Sequence, residues 1–336
     1  MSRADLTALL RLNKDRQYGM RKLAGAAVCC LCLAFGAKTH AQQPVAGATP
    51  DAPTFTLIDV PGAGTGAYQG TLAVSINNLG VIAGNYWDSS GVTHAYVRAA
   101  DGSITTFDVP GAGTSGGQGT GGCYGINYGG VVAGNFIDAH NTFHGFLRNA
   151  NGEILRFNAP GAGTGAGQGT VPYSINLGAT VSGTYVDAGN VSHGFVRATS
   201  GTITSFDAPG AGTGAGQGTY AYAINTNGLV AGSYIDPDGL IHGFVRAADG
   251  TVTTFDVPAA DGTYGYGINS QGVIVGNSWI AGQGASGMIR ATGGGFTTFN
   301  VPGAGTGNDQ GTVAWAINAE GAPGITASHA LTSIPR

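Results

Sequence analysis

Beyond residue 41 the chain has no lysine and a single cysteine, Cys123. Seven of its 14 Lys+Arg and two of its 18 Asp+Glu lie in residues 1–41, which leaves seven Arg against 16 Asp+Glu and a formal charge near −9. A nucleic-acid binder neutralises phosphates with a basic footprint, so this balance argues against that class. It also disfavours attraction to an anionic membrane. One cysteine cannot form an internal disulfide. Glutamate is nearly absent too: only Glu153 and Glu320 occur after residue 41, both in turn-like surroundings, so catalytic carboxylates are scarce. Long apolar runs are missing except for one, Leu23 to Ala37, which is too short to span a bilayer.

That run has the layout of an export signal. Met20 is followed by Arg21-Lys22, the apolar stretch, and then Thr39-His40-Ala41. A basic start, a short apolar segment and small residues before a cut describe a secretory signal peptide over residues 20–41, with cleavage after Ala41. Residues 1–19 are polar, and two readings stay open: an extended basic start, or translation that begins at Met20. Cys29, Cys30 and Cys32 leave with the signal. The expected product is secreted or periplasmic, with no membrane insertion after cleavage. A linker over 42–52 precedes one domain over 53–336.

What is abundant is repetition. Ile-Asn recurs at Ile76-Asn77, Ile126-Asn127, Ile175-Asn176, Ile224-Asn225, Ile268-Asn269 and Ile317-Asn318, in steps of 50, 49, 49, 44 and 49. A fixed period of this size marks a propeller, solenoid or array. Within the copy from Tyr173 to Pro209, four short runs are rich in Val, Ile, Thr and aromatics and bounded by Gly, Asn, Asp and Ser. They are Tyr173 to Asn176, Thr180 to Tyr185, His193 to Ala198 and Thr202 to Phe206. This predicts four antiparallel strands joined by tight turns. No stretch has helical periodicity with caps. Asp207-Ala208-Pro209 is expected to stop the sheet, because proline has no N–H for the ladder.

Four short strands per unit of about fifty residues predict an all-β, six-bladed β-propeller of four-stranded antiparallel blades. The last copy stops after its third strand, His329-Ala330-Leu331-Thr332. The missing piece is at the other end: Phe55 to Pro61 matches Ile104 to Pro110. The expectation is that the N-terminal strand closes the last blade and so removes two exposed sheet edges.

The pattern Ile-Asn, then Gly, then Val-x-Gly, then His-Gly/Ala-Phe resembles the repeat of the bacterial extracellular-repeat proteins of the HAF family. One copy reads Ile126-Asn127, Gly130-Val131-Val132-Ala133-Gly134 and His144-Gly145-Phe146. The resemblance covers residues 53–336 and implies extracellular repeats, with no activity attached. The fifth copy departs from it: Ser286 stands where the His should be and Ile280 where the Asp should be.

Four constellations could carry chemistry. Asp88/His94, Asp138/His144, Asp187/His193 and Asp236/His242 each stand six apart across the second turn. A carboxylate beside an imidazole can act as a general base, but one pair per blade places the pairs far apart. A repeated structural hydrogen bond is the favoured reading, and a single pair lacks the ligands for a metal. The glycine-rich stretch GAGTGAGQGT, at 161–170 and 210–219 with variants at 62–71, 111–120 and 303–312, tempts a nucleotide reading. That motif needs a helix to follow, and here a strand follows; the stretch reads as a blade-to-blade connection. Two residues before each Ile-Asn stand Val74, Tyr124, Tyr173, Tyr222, Tyr266 and Trp315. A spacing of two predicts that each shares a strand face with its isoleucine. The five aromatics would ring the axis, packing between blades or stacking on a sugar or another flat ligand. Lastly, ten residues separate Pro258 from Ile268 where sixteen separate Pro110 from Ile126. The glycine loop is missing there, so a notch near Asp261 and Tyr264, between the fourth and fifth blades, is the place to look for a ligand. Arg98, Arg148, Arg197, Arg246 and Arg290 end the third strand and are expected to pair with the Asp or Asn after the fourth.

These features predict no catalytic residue, cofactor or metal site. They favour a binding or surface-interaction module whose partner is a glycan or another extracellular protein. A secreted hydrolase or lyase acting on polysaccharide, and a structural envelope or matrix component, are the alternatives.

Overall fold

The structure, a computed structural model, describes residues 56–307 and 310–328, the last four as backbone only. The export segment, the linker, Phe55 and residues 329–332 lie outside the described residues. Among the described residues there are 22 strands and no helix. The first unit consists of Gly70–Ile76, Ile82–Trp87, Thr93–Arg98 and Ile104–Phe107. Each strand pairs antiparallel with the next. Four further units follow in the same pattern, and a sixth contributes Gly311–Ile317 and Pro323–Ser328. Residues 56–60 belong to no strand. Their Val60 is nevertheless buried against Tyr86 and Tyr96, beside Ile58.

The strands of the third unit fall at Gly169–Ile175, Val181–Val186, Ser192–Arg197 and Ile203–Phe206. The first of them starts four residues earlier than expected and runs through Pro172, which stands opposite Gly183. The proline is tolerated because this strand has an antiparallel ladder on one side only, so one row of its N–H groups has no ladder to serve. Proline therefore ends the sheet at Pro209 and sits within it at Pro172.

Successive units are joined in three ways. The third strand of one unit makes a single parallel bridge to the first strand of the next, as at Thr93↔Gly119 and Ser192↔Gly218. A ladder of asparagine side chains runs along the first strands: each Nδ2 donates to the next asparagine's carbonyl, from Asn77 through Asn127, Asn176, Asn225 and Asn269 to Asn318, at 2.9–3.4 Å. Each Oδ1 meanwhile accepts the N–H that closes its own turn, as in Thr180 to Asn176. The side chain thus serves the turn of one unit and the backbone of the next, which explains why the residue recurs.

The third junction is the arginine. Arg148, Arg197, Arg246 and Arg290 lie over Phe107, Phe157, Phe206 and Phe255 of the preceding unit, 4.8–5.0 Å from the ring centroids. This corrects the expected pairing with the Asp or Asn after the fourth strand: ion pairs among the described residues all involve histidine. A weakly hydrated guanidinium stacks on an aromatic face at little desolvation cost.

The core lies between facing units. One cluster takes Ala133, Leu147 and Ala159 from the second unit and Val181, Tyr185 and Phe195 from the third. At the first unit the corresponding face is open, where Ile76 is 65% exposed while Ile126 is 9% exposed.

Candidate functional site

The histidines face two partners each. His94 Nδ1 is 2.9 Å from Asp108 Oδ2, and its Nε2 is 3.6 Å from Asp88 Oδ2. His193 and His242 repeat this with Asp207 and Asp187, and with Asp256 and Asp236. In the second unit His144 faces Asn158 and Asp138. The nearer partner in the first, third and fourth units is therefore the Asp that closes the fourth strand, which the six-residue spacing did not reveal. Its sequence signal is the Phe-Asp or Phe-Asn before each Val/Ala-Pro. The Asp88 group has another duty: its Oδ1 accepts the N–H groups of Ser90 and Val92 and fixes the turn. Each imidazole also stacks on the aromatic across the strand pair, Tyr86, Phe136, Tyr185 or Tyr234, with centroids 4.9 Å apart. Every group in the cluster is committed to a neighbour within its own unit.

These clusters have a consequence in acid. At Asp138 and Asp187 burial alone would raise the carboxyl pKa. The N–H bonds from Thr142 and His140, and from Val191 and Gly189, together with the paired histidines, outweigh it and lower it. Folding that lowers a carboxyl pKa adds stability that is complete above the unfolded value of about 3.9 and is lost as pH falls towards the folded value. Asp187→Asn is therefore expected to lose less stability than the parent between pH 7 and about pH 3. Melting curves at the two pH values check this, and equal losses would show that Asp187 does not titrate with folding.

The aromatics are brought together. Tyr124, Tyr173, Tyr222, Tyr266 and Trp315 form one continuous row across five units, with successive centroids 5.4, 5.5, 5.3 and 4.5 Å apart. All five are half-buried. The expected shared face with the isoleucine is wrong. In the first, third, fourth, fifth and sixth units the residue two before the isoleucine is the extra one of a β-bulge, and Tyr124 lies within a longer irregularity. A bulge breaks the two-residue alternation and re-aims the side chain, which lets rings of neighbouring units meet. Val74 holds this position in the first unit. A second tier exists in two units, where Tyr220 stacks on Tyr222 and Tyr264 on Tyr266. Burial pushes the Tyr264 hydroxyl up to about 12 and those of Tyr222 and Tyr266 well above the ordinary tyrosine range. These rings stay neutral at any physiological pH.

Asp261 and Tyr264 do not face a common notch. Tyr264 belongs to the aromatic tier, and Asp261 Oδ2 accepts the Ala281 N–H at 2.7 Å. The shortened junction nevertheless borders a cavity of about 500 Å³ in the fifth unit, whose lining includes Val257, Pro258 and Ala260. The glycine-rich stretches serve as connections: Gln168 accepts the Gly165 N–H and donates to Ala188 O and Asn190 Oδ1, pinning its loop to a turn. Cys123 is fully buried, and burial pushes its thiol up to about 12, so it is an unreactive core residue. Among the described residues no cluster of three or more His, Cys, Asp or Glu could hold a metal, and no helix is long and apolar enough to cross a membrane.

No protein-family model and no curated protein matches the chain. Solved structures resemble it in chain course. Virginiamycin B lyase from Staphylococcus aureus is 13% identical, with a TM-score of 0.48, over 77% of this chain and 85% of that one. AofleA from Arthrobotrys oligospora is 13% identical, with a TM-score of 0.44, over 78% and 80%. The BP39L lectin from Burkholderia pseudomallei is 9% identical, with a TM-score of 0.43, over 76% and 79%. Likeness at this level says nothing of a shared substrate or ligand.

Proposed function

We propose that the exported chain is a β-propeller repeat protein that works as a binding module outside the cytoplasm. The observation that carries this reading is the aromatic row. Five half-buried rings from five units form one stacking surface along the first strands. Aromatic faces present large apolar area in a rigid form and suit a flat ligand such as a sugar ring. The repeated polar residues, by contrast, are engaged in turns and unit-to-unit bonds. The partner is a glycan or another extracellular protein.

In this reading six units close into a ring, with the sixth against the first and the N-terminal strand completing the last blade. Among the described residues the sheet is not closed: Ala73 and Ile76 at one end and Ala316 and Asn318 at the other are exposed, and closure would cover both faces. The repeat resemblance and the export signal of residues 20–41 support a site outside the cytoplasm.

The test is a thermal-shift screen of residues 42–336 against soluble glycans and calcium. A ligand at a hundred times its Kd adds about 2.7 kcal/mol to the folded state. A glycan that raises Tm, with the rise lost in Tyr222→Leu, supports the reading. No shift with any glycan moves the weight to a structural envelope component.

A further inference from the structure

The fifth unit breaks the repeat at one spot, and all its changes converge there. In the first four units the second and third strands carry an aromatic–histidine pair: Tyr86↔His94, Phe136↔His144, Tyr185↔His193 and Tyr234↔His242. In the same register the fifth unit has Ser278↔Ser286. The residue after the fourth strand is Asn300, and its Nδ2 donates to Ser286 Oγ at 3.1 Å, replacing the histidine bond at the same separation of fourteen residues. Two rings have been exchanged for two hydroxyls, and both serines line a cavity of about 500 Å³. Ligand pockets of about 300–1,000 Å³ are usual.

We propose that this cavity is a binding site for a neutral saccharide ring, separate from the axial aromatic row. Its chemistry selects the ligand. No charged side chain lines it, whereas the equivalent groove of the second unit holds Asp138, His144 and Arg156. Its polar groups are hydroxyls and amides, from Ser278, Ser286, Thr298 and Asn300 among others, which both donate and accept. Ser278 is 5% exposed and lines the cavity. A hydroxyl on a cavity wall can bond a ligand or water that enters it. Trp279 is also among the residues that line the cavity. Its indole is seated on Gly262, where any Cβ would strike the ring. The equivalent glycines have φ between 108° and 125°, whereas Gly262 does not have a positive φ. This glycine is kept to seat the indole.

The walls are held in place. Asp261 donates its N–H to Trp279 O at 2.9 Å and accepts the Ala281 N–H through its carboxylate. It anchors the hairpin over Ile280–Gly284 in place of the turn-closing Asp found in the other units. Asp261 is thus a positioning residue, and the shortened junction keeps it beside the cavity.

The experiment is calorimetric titration of the secreted chain with D-glucose, D-galactose, D-mannose, L-fucose and N-acetyl-D-glucosamine, and with D-glucuronate as the charged comparison. At least one neutral sugar is expected to bind, and more tightly than glucuronate. The double variant Ser278→Tyr with Ser286→His restores the aromatic–histidine pair that four other units carry and replaces both hydroxyls on the cavity wall with rings. It is expected to keep its melting temperature and lose at least tenfold in affinity. Should it not fold, Asn300→Asp on the exposed rim removes one donor and adds a charge, and a severalfold loss is expected. Tyr222→Leu should leave this binding unchanged, which separates the site from the axial row. Undiminished binding in the double variant or in Asn300→Asp, preference for glucuronate, or no binding by any of the five neutral sugars overturns the proposal.

Discussion

Phe244→Ala is expected to destabilise the protein by about 4 kcal/mol, a cost typical of emptying a fully buried aromatic site. Phe244 has no exposed surface and meets Phe206 edge-on at 5.8 Å. Opposite it in the ladder is Gly232, and a Cβ there would collide with the Phe244 ring and the Tyr220 carbonyl. The glycine of Val-x-Gly and the phenylalanine of His-Gly-Phe are therefore one packing device, a ring seated on bare backbone. Alanine leaves a cavity that strands on both sides cannot collapse into without breaking their ladders. Phe244→Leu keeps most of the volume and should cost less than about 1.5 kcal/mol. Urea unfolding of both variants tests this. A loss below about 1 kcal/mol for the alanine variant would show that the site relaxes and that the seat is not rigid.

Asn176→Asp is the second large effect, expected at about 3 kcal/mol near pH 7. The change alters one group. Asn176 Oδ1 accepts the Thr180 N–H at 3.0 Å, and an aspartate oxygen can still do so. Nδ2 donates to Asn225 O at 3.0 Å, and a carboxylate cannot. It sets a buried negative charge against a carbonyl oxygen instead, and buried charge without a partner is costly. Asn176 is 8% exposed, so water offers little relief. Protonation restores a donor, so part of the loss should return on mild acidification. Denaturant melts at two pH values measure it, and a loss under about 1 kcal/mol would mean that the ladder holds nothing together. Asn318→Asp at the end of the ladder reads the ring. In the closed propeller its Nδ2 donates onward to the first unit and the variant costs as much as Asn176→Asp. In an open array it costs only a few tenths of a kcal/mol, as exposed substitutions do.

Much of this was readable in advance because period and turn chemistry are local. The third and fourth strands of the copy from Tyr173 to Pro209 fell within one residue of their expected places, since Val, Ile and Phe runs bounded by glycine turns leave the chain few alternatives. The aromatic row was legible from the position two before Ile-Asn. Its geometry was not: Tyr173 and Tyr222 are bulge residues, and a bulge follows from how two strands pair. Nor could spacing rank the histidine's partners. Asp187 is six residues from His193 and Asp207 is fourteen, yet the fourth strand folds back to put Asp207 nearer. The arginines were expected to pair with the Asp or Asn after the fourth strand, and the unit-to-unit stacking that places Arg148, Arg197, Arg246 and Arg290 over phenylalanine rings is invisible within one repeat.

The substitutions of the fifth unit show where the division falls. That Ser286 and Ile280 break the repeat, and that the junction before Ile268 is short, is written in the chain. That Ser278, Ser286 and Asn300 face one empty space beside Trp279 depends on strand register, which aligns residues eight and fourteen positions apart. The sequence by itself determined the repeat, the strands and the charge, because each follows from residue type and near neighbours. The tertiary structure alone decided which repeated groups are spent on holding units together and which face open space, because that depends on contacts between residues tens of positions apart.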